Sequence, residues 1–275
     1  MRVFADQHAE RGKSPQLIAR NLKLVLTVSF FALAAAGCAT TPTDTTASIG
    51  STASRSEAEW RQATEKLGEQ YRANPGDPDA ALQYAQALRA TGQRQQATAV
   101  LEQAALNAPN NRAVLGAYGK SLADVGQYKQ ALEVLERAHT PENPDWRVLS
   151  AQGAVLDQLG RHQDAQRYYS SALKIVPEES SVLSNLGLSY ALAKDLTRAE
   201  QTLRRAAGAP KPDPRVRQNL ALVVGLQGRF AEAESIARAD LPAEEAASNV
   251  AYLKQMLSQA KAGKKLGGAA PSAGT

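Results

Sequence analysis

Large apolar residues recur along this chain at helical spacing, and the pattern returns every 34 residues. One set of segments carries Tyr84, Leu88, Leu115, Tyr118, Leu122, Leu149, Leu156, Leu186, Tyr190, Leu220 and Val224 on a single face. The alternate set carries Leu101, Leu135, Tyr169 and Leu203, each four residues after an alanine and so on its face (Ala97, Ala131, Ala165, Ala199). The spacing predicts amphipathic helices taken in pairs. A ladder of small residues keeps the same period. Gly92, Gly126, Gly160 and Gly228 stand between the helices of a pair, with Lys194 at the remaining rung. Seven residues before each rung comes Ala85, Gly119, Gly153, Gly187 or Ala221. Glycine at the rung can take positive φ and end the first helix. At Lys194 the following Asp195 suggests a turn shifted by one residue, because Asp tolerates the left-handed region. The small residues within helices let neighbouring helices approach closely. Pro109, Pro141, Pro144, Pro177, Pro210 and Pro212 close the units. The expected architecture is a stack of helical hairpins, an all-α solenoid that binds other proteins.

At these residues the chain resembles the tetratricopeptide repeat family. Asn185, Leu186, Gly187, Tyr190, Ala199, Leu203, Ala206 and Pro210 follow the family pattern, as do Gly153, Ala165, Tyr169, Ala172 and Pro177. The resemblance implies a right-handed solenoid over 56–261. It divides into a half repeat at 56–77, repeats at 78–111, 112–145, 146–179, 180–213 and 214–247, and a C-terminal capping helix at 248–261. The fifth repeat is degenerate, with Asp240 and Glu245 where Ala and Pro are expected. Residues 262–275 read as a disordered tail.

Residues 1–37 read as a lipoprotein signal peptide. Arg11, Lys13, Arg20 and Lys23 precede an apolar run from Leu24 to Ala36, too short to span a bilayer core, which needs about 20 residues. Ala35-Ala36-Gly37-Cys38 resembles the bacterial lipobox. That resemblance implies cleavage before Cys38 and lipidation of this cysteine, the only one in the chain. No cofactor other than the covalent lipid on Cys38 is expected. Ala39 after the cysteine implies sorting to the outer membrane, facing the periplasm of a Gram-negative cell. Residues 38–55, rich in Thr and Ser, form a flexible tether with a coil length on the order of 20–25 Å.

Charge narrows the partners. The net charge of +5 includes +3 in the leader and four lysines beyond residue 245, leaving a nearly neutral repeat body. That excludes the basic stripe of a nucleic-acid binder. No metal or catalytic motif is present; His139 follows a packing alanine, and His162 stands where neighbouring repeats place Tyr128 and Phe230, which predicts packing. The chain is read as a protein-binding scaffold and not as an enzyme.

First-helix residues line the inside of such a stack. The register assigns Gln83, Gln86, Arg89, Lys120, Asp124, Arg147 and Asp157 to its polar half. Asn185, Leu188, Leu192, Gln218, Asn219, Leu222 and Leu226 make the other half. In some tetratricopeptide repeats an Asn at the place of Asn185 and Asn219 binds the backbone of an extended peptide. The leucines either bury that peptide's side chains or pack between first helices. The asparagines either hold a partner or bridge locally.

Lipobox, tether and repeats together resemble the TadD family of the tight-adherence (Flp) pilus system. That implies a pilotin-like role in assembling a secretin or another component of a pilus or secretion apparatus. The alternatives are an envelope adaptor that recruits peptidoglycan hydrolases or proteases, and an accessory subunit of an envelope enzyme.

Overall fold

A computed structural model describes residues 56–209 and 214–267 of the chain. The leader, Cys38, the tether and the end of the tail lie outside the described residues. Twelve helices run through them: α1 (Glu57–Ala73), α2 (Pro78–Ala90), α3 (Arg94–Asn107), α4 (Arg112–Asp124), α5 (Tyr128–Glu136), α6 (Trp146–Gln158), α7 (His162–Ile175), α8 (Ser180–Leu192), α9 (Leu196–Ala207), α10 (Pro214–Leu226), α11 (Phe230–Ala237) and α12 (Ala243–Gly267). Among the described residues there is no strand, only an isolated bridge between Thr140 and Asn143. Among the described residues, the body from Ser56 to Gln259 is one compact unit.

The first helices α2, α4, α6 and α8 begin at an oxygen-bearing side chain. Asp77, Asn111, Asp145 and Glu179 each accept a backbone N–H of the first turn, satisfying a donor that the helix itself leaves unpaired. Each hairpin then turns through one motif. The rung residue donates its N–H to the carbonyl three residues earlier, and the next residue donates to the carbonyl five earlier, as in Gly92 to Arg89 and Gln93 to Leu88. The rung takes φ of +76°, +82°, +77° and +87° at the four glycines.

The turn at Lys194 is not shifted. Lys194 itself adopts φ +68°, with the same pair of hydrogen bonds, and Asp195 takes nearly the backbone geometry of the residue after every other rung. A left-handed non-glycine residue costs about 1–2 kcal/mol. Asp195 offsets part of it: its carboxylate accepts the Arg198 N–H at 2.9 Å, whereas the second helices of the other four repeats begin without a side-chain cap.

Close packing follows the small residues. A Cβ on Gly119, Gly153 or Gly187 would stand within 2.5–2.7 Å of Leu135, Tyr169 or Leu203 on the second helix of the same hairpin. In repeat five the close approach moves to Gly225, whose hypothetical Cβ meets Leu253 of α12 at 2.5 Å. Thus α12 closes the last hairpin, with Ala246 buried against Ala221 and Ala237. This helix is longer than the cap placed at 248–261. It starts at Ala243, inside the span assigned to repeat five, and runs to Gly267, beyond the expected start of the tail. The early start has a cause in the degenerate repeat: α11 stops at Ala237, and Asp240, where the pattern expects Ala, takes two part-buried hydrogen bonds from Arg217, one of them at 2.6 Å.

Neighbouring hairpins meet along their first helices. The pairs α2/α4, α4/α6, α6/α8 and α8/α10 are all in contact, and each second helix touches its own and the next first helix. Among the described residues, second helices do not pack on one another in this way; α9 and α11 are joined through the exposed ion pair Arg204–Glu232 at 2.6 Å. The first helices therefore form the inner wall of the stack.

Candidate functional site

The inner wall is the surface that the packing leaves for a partner. All of the predicted wall residues lie on first helices: Lys120 on α4, Arg147 on α6, Asn185, Leu188 and Leu192 on α8, and Gln218, Asn219, Leu222 and Leu226 on α10. Leu192 is 38% exposed and Gln218 is exposed, while Leu188, Leu222 and Leu226 are half-buried. The leucines are thus neither sealed core nor fully solvated; each packs by one side and presents the other.

The asparagines bridge repeats. Asn219 Nδ2 donates to Ser184 Oγ at 3.0 Å, and Asn185 Nδ2 donates to Ser150 Oγ at 3.4 Å. The bridge recurs because Asn and Ser each repeat at the 34-residue period. One N–H of each amide is committed, which fixes the side chain against its neighbour and leaves the second N–H for another group.

The polar half is built around Lys120. Burial lowers the pKa of its ammonium from the ordinary lysine value, Asp145 opposes that, and Arg89 and Arg147 add to it. Arg147 lies over the Trp146 ring, 4.3 Å from guanidinium carbon to centroid, and Arg89 Nε donates to Asp124 at 2.6 Å. Asp145 is already the N-cap of α6, accepting the Arg147 N–H at 2.7 Å.

Two expectations need correction here. Asp157 does not face the inner space: its side chain is only 7% exposed. His162 does not fill an aromatic packing position either; its Nδ1 stands 2.8 Å from Asp157 Oδ1. Ser189 Oγ donates to the same carboxylate at 2.8 Å and Tyr169 OH at 3.2 Å. Burial raises the Asp157 carboxyl above its ordinary value, while the bonds from His162, Ser189 and Tyr169 pull it partly back. Burial also pushes the Tyr169 hydroxyl well up, and the Asp157 charge adds to it. This cluster ties repeat three to repeat four. His139 follows its packing alanine as expected, with Nε2 3.0 Å from Oε1 of buried Gln152. Sequence reasoning missed the Asp157 cluster and the Ser150 and Ser184 bridges. The serines carried a usable signal, since both recur in register one residue before an inner-wall position.

Among the described residues no group of three or more His, Cys, Asp or Glu could hold a metal ion, and no helix is long and apolar enough to cross a membrane.

The fold and the wall define a repeat protein whose surface is made for other chains. Family models described as tetratricopeptide repeat match residues 150–214 and 214–239, and one described as anaphase-promoting complex, cyclosome, subunit 3 matches residues 62–138. The hairpins over residues 150–239 thus match tetratricopeptide repeats, and those before them share the same fold. Among solved structures, PilW, a widely conserved type IV pilus biogenesis factor, is similar at TM-score 0.63 and 18% identity, covering 70% of this chain and 91% of that one. The anaphase-promoting complex hetero-tetramer Cut9–Hcn1 is similar at TM-score 0.60 and 16% identity, covering 75% of this chain and 40% of that one. MamA is 28% identical over 55% of this chain and 89% of its own, at TM-score 0.47. No curated protein matches the chain.

Proposed function

We propose that this chain is an outer-membrane lipoprotein, anchored through Cys38, whose repeats dock a protein component during assembly of a pilus or secretion apparatus, in the manner of a pilotin. The observation that carries the docking role is the inner wall itself: half-exposed leucines on α8 and α10, together with cations on α4 and α6. Tetratricopeptide repeats bind protein partners, and a wall of this kind takes a segment of another chain. The lipobox at Ala35–Cys38 supports the envelope location. The likeness of the repeats to PilW supports the choice of a pilus machine, and a secretin is the partner this reading favours.

A photo-crosslinking amino acid at Leu192 or Gln218, in cells, tests the reading. It should capture one envelope component. Leu222→Asp should abolish that capture while leaving helicity and melting temperature nearly unchanged; loss of fold instead would make Leu222 core. Cys38→Ser should release the protein from the membrane fraction. Capture of a peptidoglycan hydrolase, with piliation intact after deletion of the gene, would replace the pilus role with recruitment.

A further inference from the structure

The joints between repeats are unequally tied. Between repeats one and two, the Thr98 and Ser121 hydroxyls pair at 2.8 Å, Arg89 reaches Asp124 at 2.6 Å, and Arg137 donates to the Pro109 carbonyl at 2.9 Å. Between repeats three and four, Ser189 donates to Asp157 at 2.8 Å, Asn185 to Ser150 at 3.4 Å, and Arg205 to the Pro177 carbonyl at 2.7 Å. Between repeats four and five, Asn219 donates to Ser184 at 3.0 Å, Gln227 to the Leu196 carbonyl at 3.1 Å, and Arg229 pairs with Glu200 at 2.7 Å. Between repeats two and three, among the described residues, one side-chain hydrogen bond reaches α6 or α7 from the preceding repeat. It joins His139 Nε2 to Gln152 Oε1 at 3.0 Å, and the other ring nitrogen of His139 is buried with no partner in the protein.

The backbone changes at the same place. α5 has 9 residues where α3 and α7 have 14. The connection after it spans 137–145, against 108–111 after α3 and 176–179 after α7. The matching family models also part here, one ending at 138 and the next starting at 150. What crosses the joint is mainly apolar: Val148 and Val155 of α6 pack into one cluster with Leu115, Val134 and Ala138. Apolar contact is non-directional, so it permits rotation that a set of hydrogen bonds resists. On the inner side, like charges flank the joint, Lys120 on α4 and Arg147 on α6. Burial leads in lowering the Lys120 pKa; Asp145 opposes it, while Arg89 and Arg147 add to it. The Asp145 carboxylate, in the connection, thus offsets the repulsion between the two sides.

We propose that the joint between repeats two and three is the hinge of the solenoid. The bodies α1–α5 and α6–α11 swing about the Val148 and Val155 contact, fastened by the His139–Gln152 bond and by the charge of Asp145. Hinge motions of this class run on the μs–ms scale. The hinge goes beyond the docking role and does not depend on it.

Double electron–electron resonance on the full chain, carrying Cys38→Ser and paired spin-labelled cysteines, tests it. Ala99, Glu133, Arg167, Gln201 and Ser235 recur at the 34-residue period on α3, α5, α7, α9 and α11, and all are exposed. Labels at Ala99 with Arg167, and at Glu133 with Gln201, span the joint. Labels at Arg167 with Ser235 span as many repeats without it. The first two distance distributions should be about twice as broad as the third. Gln152→Leu removes the bond to His139 and supplies the residue that repeats four and five hold there, Leu186 and Leu220. It should broaden the first two distributions further and leave the third unchanged. Asp145→Asn keeps a side-chain cap on α6 but removes the charge. It should broaden the first two at low salt and lose that effect at about 1 M salt, where the screening length is about 3 Å. Equal breadth in all three pairs would overturn the hinge. Breadth in the Glu133–Gln201 pair alone would place the motion within α5 and overturn it as well. A broad joint that ignores both variants would overturn the two fastenings.

Discussion

Repeats one and two and the joint between repeats three and four hold similar hairpins together with different polar chemistry. In the first two repeats the interior bonds are neutral, the Arg89–Asp124 ion pair lying on the open wall. Gln96 donates to the Tyr84 hydroxyl at 3.0 Å and Gln130 to the Tyr118 hydroxyl at 3.2 Å. Their joint is a buried hydroxyl pair, Thr98 and Ser121, 2.8 Å apart. In repeat three the corresponding first-helix aromatic is replaced by Gln152, the tyrosine sits on the second helix, and a buried carboxylate collects three partners from two other helices. Neutral bonds can each be lost separately. A shared buried acceptor makes its partners depend on one residue, and low local polarity raises the cost of leaving any of them unpaired.

The largest effect should come from removing that acceptor. Asp157→Ala leaves Tyr169 and Ser189 without their partner and should cost about 3 kcal/mol in urea unfolding, against about 1 kcal/mol for Gln130→Ala in repeat two. Equal losses would erase the distinction between the two regions. Next comes packing. Gly119→Ala presses on Leu135, which can change rotamer, whereas Gly153→Ala presses on a Tyr169 ring held by its hydroxyl. Both should destabilise by about 1–3 kcal/mol, with Gly153→Ala the worse of the two in thermal melts. Smaller still, and opposite in sign, Lys194→Gly should stabilise by about 1 kcal/mol, because glycine takes the left-handed rung without strain.

Acidification should sharpen the contrast without a large total effect. Asp157 has its folded pKa raised, so its contribution to stability is present at low pH and lost as pH rises through that raised value. Hydrogen bonds from Arg205, Arg198, Arg229 and Arg217 lower Glu178, Asp195, Glu232 and Asp240 respectively, with a backbone bond leading at Asp195. Their contributions are present above the ordinary carboxylate range and lost as pH falls through the lowered values. In hydrogen exchange below that range, the contacts around Arg217–Asp240 should loosen before the joint at Asp157, and the opposite order would refute the assignment.

Much of the fold was legible because it is periodic. Leu101, Leu135, Tyr169 and Leu203 are buried where their spacing from alanine put them, and each rung is left-handed, Lys194 included. Periodicity gives the face a residue occupies but not the partner it finds there. Arg89 and Asp157 hold the same place in their repeats, yet one stays on the open wall and the other is buried, because Ser189, 32 residues away, and His162 reach it. The inner-wall asparagines show the same limit. Their face was readable, but the serines that hold them come from the preceding repeat and enter only through the stacking of helices. The degenerate end of repeat five was visible as a break in pattern, while the transfer of its last residues to α12 depended on Gly225 meeting Leu253.

The one-sided contact between hairpins has a mechanical consequence. Adjacent repeats pack closely along their first helices, whereas the second helices of repeats four and five are tied by exposed ion pairs, Arg204–Glu232 and Arg229–Glu200, so the repeats can spread on the far side as the ribs of a fan spread about a pivot. Small rotations at successive seams would add up along the stack. A segment lying across several of them would then restrain that spreading, and its hold would stiffen the whole array at once.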